Sequence, residues 1–176
     1  FTGGTETGRI VARTAAPMFK KLSLELGGKN ATVVFADADL QSAVEGAVRA
    51  AFTNSGQVCL CGSRIFIEEK ISKQFKHLFV EKVNAIKIGN PMDDATEMGT
   101  VISPEHLLKV ESYIDLAEEE GGIILAGGTR EMTGYNGPEG IGAFLRPTVV
   151  DNLPYTSRCA TAVSYTHLTL PTRSTV

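Results

Sequence analysis

The sequence has no tryptophan, only 3 cysteines and 3 histidines, and 17 basic against 20 acidic residues. Each scarcity excludes something. An odd, sparse cysteine set is a poor disulfide framework and fits a reducing, cytoplasmic setting. His77, His106 and His167 stand apart in sequence, and a metal site needs about four nitrogen or sulfur donors at ligand spacing, so no metal is expected. Lys and Arg are scattered through a chain of net charge −3, which argues against nucleic acid or an anionic membrane as partner. No apolar run approaches the ~18 residues of a membrane span, and the first residues lack the basic and apolar regions of a signal peptide. What is present is ordinary for a globular domain: 43% hydrophobic and 21% charged residues over 176 positions, enough to bury one sizeable core.

Periodicity then divides the chain. A short helix is expected over Glu6 to Ala16, ended by Pro17. "KKLSLEL" alternates Leu22, Leu24 and Leu26 with Ser23 and Glu25, the period of a strand, and Gly27-Gly28 breaks it. "ATVVF" reads as a strand, with Asp37 or Asp39 capping a helix that carries Leu40, Ala43, Val44, Ala47, Val48 and Ala51 at helical spacing. "SRIFIEE" is a strand and Ser72 to Lys87 a helix; Ser103-Pro104-Glu105 opens another that stops near Gly121-Gly122. "IILAGG" and "FLRPTVV" are strands around a Gly-rich loop. Strands alternating with helices imply an α/β fold with a largely parallel sheet.

Three stretches could carry chemistry. "NSGQVCLCGSR" holds Cys59 and Cys61; two thiols are half a metal site, and so close a pair would make a strained disulfide. Both could be small buried hydrophobes. Alternatively, one is a nucleophile in a loop held between a helix end and a strand start, activated by a nearby base or positive potential. Glu25, at a strand end, is a candidate base or a solvated charge. The opening "FTGGTETG" puts glycines before a helix, where free N–H groups suit a phosphate; it is neither a Walker loop nor G-x-G-x-x-G, and a plain tight turn also accounts for it.

Taken together and in this order, the three resemble the aldehyde dehydrogenase superfamily. "FTGGTETG" resembles its F-T-G-[SG]-T-x-x-G turn, "LSLELGGKN" its L-E-L-G-G-K signature and "NSGQVCLCGSRIFI" its G-Q-x-C loop; the step of 34 residues from Glu25 to Cys59 matches too. "GNPMDDATEMG" and "FLRPTVV" also fit, and the likeness, nearest to the muconic semialdehyde branch, covers roughly residues 1–161. The resemblance implies the end of a Rossmann-like cofactor domain over residues 1–26 and part of an α/β catalytic domain over 27–161. It implies Cys59 as nucleophile, Cys61 as a neighbour in the loop wall, and Glu25 as general base. It places Gly3, Gly4, Thr5, Gly8 and Leu26 at the cofactor, NAD or NADP, and implies a small aldehyde substrate and a homodimer or homotetramer. Gly4 stands where many members carry Ser, and Ala31 replaces a common Pro. The alternatives are a non-catalytic relative used for binding or structure, and a thiol hydrolase without NAD dependence.

The chain opens on Phe1 rather than Met and is expected to be the middle of a longer protein. After "SRCAT" the resemblance stops. Residues 163–172, "VSYTHLTLPT", read like a translated transposon-end sequencing adapter, so residues 162–176 are expected to be a non-native read-through tail, in which His167 and Pro171 carry no function. A genuinely encoded β-hairpin is the alternative.

Overall fold

The computed structural model describes residues 1–131 and 142–162 and the backbone of 168–173; His167 and the middle of the Gly-rich loop lie outside the described residues. The chain begins with a small βαβ unit. β1 (Thr2–Gly3) runs parallel to β2 (Glu25–Leu26), with Thr2 opposite Glu25 and Gly3 opposite Leu26. α1 (Thr5–Ala15) crosses between them, and Pro17 falls in the 3-10 turn that ends it. The strand expected from the leucine alternation shrinks to two residues. Its partner is equally short: beyond it, Phe1 reaches back with its amine to the Ser23 carbonyl at 2.8 Å and accepts from the Glu25 N–H at 2.9 Å, and Leu22 stays exposed. Alternation alone forms no strand where no neighbouring strand supplies hydrogen bonds.

The second sheet has five strands among the described residues: β3 (Ala31–Val34), β4 (Arg64–Ile67), β5 (Ile123–Ala126), β6 (Thr148–Asp151) and β7 (Leu168–Arg173), in the spatial order β3-β4-β7-β6-β5. All neighbours are parallel except β5 and β6. α2 (Leu40–Phe52) begins at Asp39, whose carboxylate accepts from the Ser42 N–H at 2.8 Å. α3 (Glu69–Asn84) starts three residues earlier than its apolar spacing suggested. α4 (Pro104–Glu119) is capped by Ser103, which accepts from the His106 N–H at 3.1 Å.

Apolar side chains sort these elements into layers. Val44, Ala47 and Ala51 of α2 and Phe75, Phe79 and Val83 of α3 are buried with Ile65 and Ile67 of β4 on one face; Phe75 and Phe79 stack with centroids 5.7 Å apart. Leu107, Val110, Ile114 and Ala117 of α4 pack on the other face with Leu145 and Leu153. β6 serves both: Val149 enters the first core and Val150 the second, as side chains of a strand alternate. This is a helix–sheet–helix sandwich. The short α5 (Arg158–Thr161) is held to the end of α4 by Glu120, which accepts from the Arg158 N–H at 3.1 Å and the Cys159 N–H at 3.2 Å.

The tail was not expected to continue the α/β pattern, yet its backbone at Leu168–Arg173 is a strand between β4 and β6, parallel to both rather than a hairpin. No other described strand pairs with the inner edges of β4 and β6, and unmet ladder groups there favour any extended segment within reach.

Candidate active site

Where α2 ends at Phe52, the chain reverses through Asn54 (φ 51°), Ser55 (φ 56°) and Gly56 (φ 69°), all left-handed. Asn and Gly tolerate this region; Ser does so at a cost, offset by bonds to the neighbouring loop. The Ser55 hydroxyl donates to the Gly99 carbonyl at 3.3 Å, and the Ile102 N–H donates to Gln57 Oε1 at 3.2 Å. A tight turn follows, closed by the Cys61 N–H on the Val58 carbonyl at 3.0 Å. Gly62 then passes between Ala50 and Thr32 so closely that a Cβ would collide with the Thr32 hydroxyl.

This turn separates two cysteines that composition could not. Cys59 is exposed at its tip, whereas Cys61, two positions on, is buried, and burial raises its thiol pKa. Cys159 is buried too; burial, then the Glu120 carboxylate, push it up to about 11. All three are free thiols. Among the described residues, no three His, Cys, Asp or Glu stand together as metal ligands.

The signature "ELGGKN" reaches the turn from the side. The Asn30 side-chain amide donates to the Cys59 carbonyl at 2.6 Å. Arg64, at the start of β4, donates from Nε to the Lys29 carbonyl at 2.8 Å and from its N–H to the Asn30 carbonyl at 3.0 Å. Lys29 itself is 8% exposed. Burial above all lowers its ammonium to about 8; Cys159 nearby works against this and Arg64 adds to it. The Ser63 hydroxyl is buried with no partner among the described residues.

The other expected site residues cluster in the βαβ unit. Gly4 is the N-cap of α1 with no side-chain cap, and a Cβ there would meet nothing within 4 Å. A helix N-terminus without a side-chain cap is an arrangement that suits an anion. Gly8 is different. It is buried, and a Cβ would lie 2.7 Å from Leu26 Cδ2, so Gly8 seats α1 on β2. Glu25 is exposed, directly opposite Thr2. Its carboxylate makes no hydrogen bond or ion pair among the described residues, with Cys59 or otherwise; the two are linked through residues 26–30 and the Asn30 amide.

Sequence reasoning singled out the cysteine and the glutamate but missed Lys29, Asn30, Gly62 and Arg64 as a group. Asn30 and Arg64 sit inside the quoted stretches, but nothing in their spacing shows which backbone groups their side chains reach. A groove of about 440 Å³ between α2 and α3, over Phe52 and Ile86, contains none of these residues. One of about 290 Å³ lies behind the turn, against Val58, Leu60 and Cys61.

Residues 1–162 match the model of the aldehyde dehydrogenase family. The chain is 42% identical to the 2-aminomuconic semialdehyde dehydrogenase of Mus musculus over 161 residues, 92% of this chain and 33% of that protein. It is 45% identical to the betaine aldehyde dehydrogenase of Bacillus subtilis over 153 residues, 86% of this chain and 30% of that one. The crystal structure of betaine aldehyde dehydrogenase from Staphylococcus aureus in complex with NAD+ aligns with a TM-score of 0.90 at 39% identity, covering 100% of this chain and 34% of that one. The chain thus spans about a third of the length of the curated relatives it matches.

Proposed function

The chain belongs to the aldehyde dehydrogenase family, and from that membership we propose that it carries the thiol, the acid and part of the cofactor cradle of an NAD(P)-dependent aldehyde dehydrogenase. One observation carries the reading: of the three thiols, Cys59 alone is exposed, on a turn held from two sides. A nucleophile must be reachable, and the buried thiols are kept protonated and inert.

In this reaction the Cys59 thiolate adds to the aldehyde carbon, and the carbonyl electron pair moves to oxygen to give a thiohemiacetal. Loss of hydride from that carbon leaves a thioester. When bound, the nicotinamide dinucleotide supplies the acceptor for that hydride. Glu25 then takes a proton from water, whose oxygen attacks the thioester; Cys59 leaves as thiolate and the carboxylic acid departs. A thiol suits both halves, being a soft nucleophile and a good leaving group. The exposed Glu25 carboxylate has no fixed partner among the described residues, so it can turn and pass its proton to solvent.

Gly3, Gly4 and Thr5 would take the dinucleotide's phosphates, with Gly8 and Leu26 locking helix to strand behind them. Residues 1–26 are then the end of the cofactor domain and 27–161 the thiol-bearing part; nothing in the reaction is assigned to residues 162–176. For substrate we favour a small unsaturated semialdehyde, since several similar relatives are named for muconic semialdehydes; betaine aldehyde is the competing substrate to assay.

The test uses the full-length enzyme carrying this segment. Cys59→Ala is expected to abolish turnover. Glu25→Gln is expected to release about one equivalent of NADH per site in a burst and then stall, because the thioester forms but is not hydrolysed. Turnover by Cys59→Ala would remove the nucleophile, and steady turnover by Glu25→Gln would remove the base.

A further inference from the structure

We infer that Asn30 is a positioning residue for the Cys59 thiol, a role that rests on the reading of Cys59 as nucleophile. The direction in which a side chain leaves the backbone is set by the two peptide planes that flank its Cα. At Cys59 each plane is held by one hydrogen bond. The preceding plane is fixed through the Val58 carbonyl, which accepts from the Cys61 N–H at 3.0 Å. The following plane is fixed through the Cys59 carbonyl, which accepts from Asn30 Nδ2 at 2.6 Å. Among the described residues no second donor reaches that carbonyl.

Packing does not replace this bond. Cys59 is exposed and Leu60 is 79% exposed, so the tip of the turn has little apolar contact to hold it. Asn30, by contrast, is well anchored. Its carbonyl accepts from the Arg64 N–H at 3.0 Å, one step before the ladder in which Ala31 pairs with Arg64, and Lys29 is tied to Arg64 Nε beside it. The amide thus transmits the position of a sheet to the thiol. Asn30 also follows Glu25 by five positions in one segment, so the acid and the anchor of the nucleophile move together.

The test compares Asn30→Asp, Asn30→Ala and Asn30→Ser in the full-length enzyme, with Cys59→Ala as reference and kcat expressed per thiol alkylated to completion by iodoacetamide in the native enzyme above the Cys59→Ala background. Asn30→Asp keeps the shape but turns an acceptor towards the carbonyl. It is expected to lower kcat per active thiol roughly 10- to 100-fold, the range for a small misplacement of a reacting group, with KM for NAD unchanged. Asn30→Ser, which keeps a donor, is expected to recover part of the loss relative to Asn30→Ala, and it serves if Asn30→Asp does not fold. A merely structural residue would lower Tm and the fraction of titratable thiol but leave kcat per active thiol at the wild-type value. That result, with Cys59→Ala inactive, overturns the role of Asn30 and leaves the nucleophile standing. An active Cys59→Ala overturns both.

Discussion

Lys29 shows most clearly what a single residue costs this fold. Its ammonium is buried, and the fall from the ordinary 10.5 to about 8 corresponds to about 3 kcal/mol against the charged form. Because the folded value lies below the unfolded one, the unfolded chain binds more protons between them. The penalty is therefore complete below pH 8, shrinks as pH rises from about 8 to 10.5, and is gone above that. Lys29→Met should raise the urea midpoint at pH 7, with the gain fading by pH 10. An equal gain at both values would mean that the ammonium is not the source. The same scale separates Cys59 from Cys61, where two residues along a turn exchange solvent for core.

At the scale of elements, the turn after α2 depends on a glycine for space rather than for backbone freedom. Gly62 is buried, its N–H donates to the Ala50 carbonyl at 3.0 Å, and the Thr32 hydroxyl occupies the place of a Cβ. Gly62→Ala should therefore push α2 and β3 apart and destabilise by roughly 2 kcal/mol. Gly62→Ala combined with Thr32→Ala should restore part of the loss in chemical denaturation; no recovery would place the strain elsewhere. Element boundaries were legible where the signal is local. Asp39 and Ser103 cap the helices they precede, and the apolar stripes of α2 and α4 face the cores. β2 was not, because a strand needs a partner and the leucine alternation says nothing about one.

Over the whole molecule, the helices cover the sheet unevenly. The edge strand β3 leaves Val33 56% exposed, Phe35 just beyond it is 57% exposed, and Phe19 after α1 is 96% exposed. In a chain that spans a third of its relatives' length, such apolar surface and an unpaired strand edge invite association. By itself the 176-residue chain is expected to self-associate in light scattering, and the Val33→Lys/Phe35→Lys pair to shift it towards monomer. A monodisperse wild-type monomer would refute this. Among the described residues no helix is long and apolar enough to cross a membrane.

The amino-acid order by itself determined the alternation of helices and strands, the caps and the family, because periodicity, capping and motif spacing act over a few residues or are written in residue type. Only the tertiary structure decided which cysteine is exposed, that Gly8 packs while Gly4 stays open, that the tail backbone enters the middle of a sheet, and that Asn30 holds Cys59 across 29 positions of chain. Those outcomes depend on which strands pair, and pairing closes long loops whose ends carry no local mark of each other.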